Sequence, residues 1–192
     1  LWIVDVSMLS NPRTVSFCHL PHGTNAVTVD ENQAYIANGN GGLRVVDVSV
    51  TSDPTEVGIY DTPGYAQDVA IAENYVYVAD GDSGLRVVDI SIASSPTEVG
   101  AYDTPGYAEG VFVAGNYVYI ADGDSGLRVV DVSIPSSPME IGFYDTPGNA
   151  RDVSVFSNYA YVADQNSGLQ VLDISTLSDP AHVGSINVPD SA

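Results

Sequence analysis

The run Leu-Arg-Val-Val-Asp stands at Leu43–Asp47, Leu85–Asp89 and Leu127–Asp131, and looser copies begin at Leu1 and Leu169. Each start lies 42 residues after the one before it. A fixed period in the range of about 20 to 50 residues commits a chain to a repeat architecture, because each unit buries its apolar faces only against its neighbours. The 192 residues therefore read as a single domain, 1–192, and not as two independent cores. Its parts are a partial unit over residues 1–24 and repeats of about 25–66, 67–108, 109–150 and 151–192.

One unit carries the grammar of the rest. A first strand is expected within Ala66–Asn74, a second at Tyr75–Ala79, a third at Leu85–Ile90 and a fourth at Thr97–Tyr102. Between them lie the turn Asp80-Gly81-Asp82-Ser83-Gly84, the loop Ala93–Pro96 and the turn Asp103-Thr104-Pro105-Gly106. Short Val- and Tyr-rich runs punctuated by Gly, Pro, Asn and Asp are strand and hairpin signals. No window shows the three-to-four-residue apolar spacing of a helix.

The second strand is apolar on both faces, with Tyr75 and Tyr77 on one and Val76 and Val78 on the other. The third strand repeats this, so both strands need cover on both sides. Four-stranded sheets stacked around an axis supply that cover, and a unit of roughly 40 to 45 residues has the size of one propeller blade. The expected fold is all-β, a β-propeller of 42-residue four-stranded antiparallel blades.

The pattern G-x-A-x-x-V-x-V-x-x-N-Y-V-Y-V-A-D-x-x-S-G-L-x-V-V-D-[VI]-S, followed by P-x-E-V-G-x-Y, resembles the LVIVD repeat family of bacterial and archaeal β-propellers. The resemblance covers nearly the whole chain. It implies an architecture and a frequent extracellular or cell-surface setting, and it brings no catalytic residue set.

About four and a half blades are present, since residues 1–24 supply only a third and a fourth strand. Residue 1 already lies inside a repeat and is not Met. The chain thus reads as a processed or truncated piece of a larger propeller. Leu1–Val6 is apolar on both faces and has no Tyr-Val-Tyr-Val strand to pair with, so its open edge is expected to take up flanking sequence of the same protein, another copy or a protein partner.

Twenty-five acidic residues face five Arg and no Lys, a net charge of −20. That balance argues against nucleic acid and anionic membrane as partners. Cys18 is alone, so an intrachain disulfide is excluded. No apolar run reaches the roughly 18 residues of a membrane-spanning helix.

Successive loops alternate between the two ends of a blade. The Asp-Gly-Asp-Ser-Gly turns and the Asp-Thr-Pro-Gly turns should therefore share one acidic rim, while the Ser/Pro-rich loops such as Ile134–Pro138 occupy a bland opposite rim. Asp80, Asp82, Asp122 and Asp124 are candidate calcium ligands, because Asp-x-Asp among glycines can wrap an oxygen-seeking ion. The competing reading is plain turn chemistry, which Asn38–Gly42 and Asp164–Gly168 keep while shedding charge. The strand-end acids Asp5, Asp47, Asp89, Asp131 and Asp173 are expected to bond nearby amides. Arg44, Arg86 and Arg128 are expected to pair with carboxylates. His19 and His22 lack an evident third metal ligand.

The start of each first strand varies where its surroundings repeat. Tyr65, Tyr107 and Asn149 form one set; Gln67, Glu109 and Arg151 a second; Asp68, Gly110 and Asp152 a third. On a propeller these would rim the mouth of the axis, where Tyr beside carboxylates suits polar ligands such as peptides or sugars. Three functions stay open: a non-catalytic extracellular or cell-surface scaffold for interaction, adhesion or surface assembly; a ligand- or cation-binding sensor using the acidic rim; and, more distantly, a metal-dependent propeller hydrolase.

Overall fold

Strand follows strand in one unvarying order in the computed structural model, which describes residues 1–187. Trp2–Asp5 (β1) and Arg13–Phe17 (β2) form a two-stranded sheet. The first full sheet comprises Ala26–Asp30 (β3), Gln33–Ala37 (β4), Leu43–Asp47 (β5) and Thr55–Tyr60 (β6). The second comprises Asp68–Ala72 (β7), Tyr75–Ala79 (β8), Leu85–Asp89 (β9) and Thr97–Tyr102 (β10). The third comprises Gly110–Ala114 (β11), Tyr117–Ala121 (β12), Leu127–Asp131 (β13) and Met139–Tyr144 (β14). The fourth comprises Asp152–Phe156 (β15), Tyr159–Ala163 (β16), Leu169–Asp173 (β17) and Ala181–Ile186 (β18). Every sheet is an antiparallel meander in chain order, and none closes on itself among the described residues.

Register repeats as faithfully as sequence. The third and fourth strands slip by one residue at Val57, Val99, Ile141 and Val183, and β1 and β2 slip at the equivalent Val15. A bulge at the same step marks β1 and β2 as the third and fourth strands of a fifth unit. The expected end of the last repeat at residue 192 lies outside the described residues.

The doubly apolar strands are covered as expected. Val76, Val78 and Val88 pack with Tyr35, Leu43 and Val45 of the first sheet, while Tyr77, Ala79, Leu85 and Val87 pack with Val111, Val118 and Ile120 of the third. The same alternation joins the third sheet to the fourth. Leu1, Cys18 and Leu20 cover Ala34, Ile36 and Val46 on the outer face of the first sheet. Each fully buried Val or Leu contributes about 1.5 to 3 kcal/mol, so the faces between sheets hold most of the stabilisation.

Close approach of neighbouring sheets depends on a glycine in each fourth strand. A Cβ on Gly58, Gly100 or Gly142 would overlap the carbonyl oxygen of Ala93, Pro135 or Leu177 in the next sheet's loop. β2 carries Ser16 at this position, and its hydroxyl donates to the carbonyl of Thr51 at 2.5 Å. Gly184 on β18 has nothing within 4 Å of an added Cβ among the described residues.

Helix enters once. Where the other turns place Gly39, Gly81 and Gly123 at φ between +54° and +58°, the fourth sheet has Gln165 at +39°, and Gln165–Ser167 tightens into a single 3-10 turn. The expectation of no helix is corrected at that point. The first strand, Asp68–Ala72, falls within the expected stretch, and the third, Leu85–Asp89, is one residue shorter than expected.

Candidate functional site

The two kinds of acidic turn meet at one end of the sheets, and their most buried carboxylates are structural. Asp80 and Asp122 are fully buried. Thr62 donates its hydroxyl to Asp80 Oδ1 at 2.5 Å, and the Gly64 amide donates to Oδ2 at 2.8 Å. Thr104 and Gly106 grip Asp122 in the same way, and Thr146 and Gly148 grip Asp164. The two kinds of acidic turn are thereby clamped together at one end of the sheets. Burial pushes the carboxyls of Asp80 and Asp122 up from the usual range, against the pull of these donors and of Arg86 and Arg128. In the first sheet the connection has Leu20 where the others have Thr, and the turn answers with Asn38, which donates to the carbonyl of His22 at 2.8 Å. The swap of Asp for Asn thus tracks the loss of a donor.

Asp82 and Asp124 project from the same turns and are exposed. Asp124 accepts from Asn149 at 2.8 Å. With the oxygens of Asp80 and Asp122 already held by donors, each turn offers an ion one open carboxylate. No cluster of three or more metal-ligating side chains occurs among the described residues, the region of His19 and His22 included.

The arginines pair as expected. Arg44 meets Asp61 at 3.0 Å, Arg86 meets Asp103 at 3.1 Å, and Arg128 meets Asp145 at 2.8 Å while lying 4.7 Å from the centre of the Phe143 ring. Each joins a third strand to the loop that enters the next sheet. Every strand-end acid also accepts the amide two residues on, from Asp5 with Ser7 to Asp173 with Ser175, each at 2.8 Å. The serine hydroxyl first at Asp47 and Asp89, and the amide first at Asp5, Asp131 and Asp173, with the other group adding to it in each case, hold the five carboxyls below their ordinary range.

The variable first-strand positions come together through polar contacts between residues 40 to 42 apart in the chain. Asn25 donates to the carbonyl of Ala66 at 2.8 Å and reaches Gln67 at 3.4 Å. Gln67 donates to the Tyr107 hydroxyl at 3.1 Å, and Arg151 pairs with Glu109. The Tyr65 and Tyr107 rings lie over Gly39 and Gly81, where an added Cβ would meet ring carbon at 2.8 and 2.7 Å. Asp68 accepts the amide of Val111 in the next sheet at 2.9 Å. It shares an open cavity of about 430 Å³ with Asp152, Thr28 and Phe112, lined by the first strands of all four sheets. Burial raises the Asp68 carboxyl from its ordinary range, opposed by the amides of Val111 and Val69.

Sequence reasoning missed two features. The Tyr60 hydroxyl donates to Glu98 at 2.6 Å and that of Tyr102 to Glu140 at 2.9 Å, each across a sheet boundary. Nothing in a single unit reveals these, since the partners are 38 residues apart. The second is on the rim read as bland: a cleft of about 470 Å³ between the second and third sheets, lined among others by Glu73, Tyr75, Tyr77, Asn116, Ser133 and Pro135.

Comparison with known proteins matches the repeat. The crystal structure of the computationally designed Ika8 protein superposes with a TM-score of 0.71 at 15% identity, over 92% of this chain and 53% of that one. The chain thus spans about half the length of that protein. The designed Ika4 protein superposes with a TM-score of 0.66 at 13% identity, over 82% of this chain and 95% of that one. At such identities the likeness concerns the fold alone. No curated protein sequence matches the chain. The LVIVD repeat model matches four consecutive stretches, residues 23–62, 63–104, 105–146 and 147–188. With most of its length in these four matches, the chain belongs to the LVIVD repeat family.

Proposed function

We propose that the four sheets are consecutive blades of a β-propeller, and that the protein serves as a non-catalytic scaffold in an extracellular or cell-surface setting. The observation that carries this reading is where the reactive side chains go. Asp80 and Asp122 are held by Thr and Gly, Arg128 by Asp145, and Arg151 by Glu109, so the groups a catalyst would use are engaged in joining one sheet to the next. The convergence of β3, β7, β11 and β15 on one cavity supports a radial arrangement.

Protein partners fit the outer edge of β1. Among the described residues that strand pairs only with β2, and Trp2, Val4, Val15 and Phe17 around it are exposed. An unpaired apolar edge favours strand addition. In this reading another polypeptide segment, from elsewhere in the same protein or from a second copy, supplies the missing strands. Sedimentation of the 192 residues at micromolar concentration tests it: association that a Val4→Lys substitution abolishes is expected, and a monomer at every concentration would overturn it.

Location is tested on the native protein by labelling intact cells with antibody. Labelling without permeabilisation is expected; labelling only afterwards would remove the extracellular part of the reading. A cation-binding sensor is the second reading, favoured by the exposed Asp61, Asp82, Asp103, Asp124 and Asp145 along one rim.

A further inference from the structure

The cleft between the second and third sheets combines a buried tyrosine of one sheet with exposed polar side chains of both. Tyr77 is only 3% exposed and forms part of the cleft wall. Its hydroxyl makes no hydrogen bond to the protein among the described residues, and the residue lines the cleft. A hydroxyl held on a ring this rigidly buried has lost its rotational freedom before any ligand arrives, which lowers the entropic cost of binding. Around it stand the Glu73 carboxylate, the Asn116 amide and the Ser133 hydroxyl, with Tyr75 and Pro135 supplying apolar wall.

Equivalent positions elsewhere carry only part of this set. Between the first and second sheets Gln33 stands where Tyr75 does, beside Tyr35. Between the third and fourth, Tyr117 and Tyr119 are present but Gly115 replaces Glu73 and Leu177 replaces Pro135. Only the middle junction joins two tyrosines to a carboxylate.

We propose that this cleft binds a neutral saccharide of about two sugar units. The donors and acceptors match a ligand that offers many hydroxyls, with the carboxylate and the amide accepting from them and Asn116 and the hydroxyls donating in return. The apolar wall suits the C–H face of a pyranose ring. The volume falls within the usual range of small-molecule sites, about 300 to 1,000 Å³. A cation is the rival ligand for a chain of net charge −20, but it would leave the donors of Tyr77, Asn116 and Ser133 unmatched. The site lies at the opposite end of the sheets from the clamped acidic turns and is independent of the scaffold reading.

Amide chemical shifts of the 192-residue protein, titrated with cellobiose, maltose, lactose and chitobiose and separately with choline, test the assignment. Saturable shifts confined to Glu73, Tyr75, Asn116 and Ser133 are expected with at least one disaccharide. Tyr77→Phe, which keeps the buried ring, should weaken that binding about five- to tenfold, the effect of one lost hydrogen bond. Glu73→Gln, at an exposed position, should weaken it also, and Tyr119→Phe should not. Four results would overturn the proposal: no saturable response to any disaccharide, a response to choline alone, shifts centred elsewhere, or binding unchanged in both Tyr77→Phe and Glu73→Gln.

Discussion

The Thr104 hydroxyl donates to Asp122 Oδ1 at 2.5 Å from the loop that joins the second sheet to the third. Because Asp122 is fully buried and its second oxygen takes the Gly106 amide, the pair closes the junction from the inside. Asp122→Ala would strand both donors and remove the carboxylate 3.8 Å from Arg128 Nε, while Arg128 keeps Asp145. A loss of about 2 to 4 kcal/mol in urea unfolding is expected, against about 1 to 2 kcal/mol for Thr104→Val, which keeps its shape and removes one charge-assisted bond. Equal losses would show that the clamp is not the source.

Stability should also fall in alkali. Burial, followed by the hydrogen bond and charge of Glu140, raises the Tyr102 hydroxyl to about 12, and burial with Glu98 raises Tyr60 further still. The folded protein holds these protons more tightly than the unfolded chain, whose tyrosines titrate near 10. Their contribution is therefore complete below pH 10 and is lost as pH rises from 10 through 12. Melting temperature measured across that interval should drop, and less steeply in Tyr102→Phe. An identical slope in the variant would disprove the assignment.

Glycine at the fourth strand should matter only where a loop is seated on it. Gly100→Ala drives a methyl into the carbonyl of Pro135 and is expected to cost about 1 to 3 kcal/mol. Gly184→Ala meets nothing within 4 Å among the described residues and should stay within about 0.5 kcal/mol of the parent. Denaturant midpoints of the two variants decide the point.

Calcium provides a direct contrast between the scaffold and the sensor. A ligand that binds only the folded form raises stability with the logarithm of its concentration. With Asp80 and Asp122 occupied by Thr and Gly donors, no saturable rise in melting temperature is expected on adding calcium after chelation. A saturable rise abolished by Asp82→Asn or Asp124→Asn would favour the cation-binding reading.

Much of this molecule was legible in its sequence because a repeat is a local statement made many times over. The 42-residue spacing, the apolar faces of Tyr75–Ala79 and Leu85–Asp89, and the turn residues between them determined the strands, their order and their antiparallel pairing. The pairing of each strand-end Asp with the amide two residues on followed from adjacency. Tertiary structure alone decided what crosses from one unit to the next. Asp80 and Asp82 look alike in the chain, yet one is buried under Thr62 and the other is exposed. Glu98 found Tyr60, 38 residues earlier in the chain. The physical reason is range. Backbone pattern and turn chemistry act over a few residues, whereas burial of a carboxylate or the opening of a cleft depends on how a neighbouring sheet, some 42 residues away, sits against it.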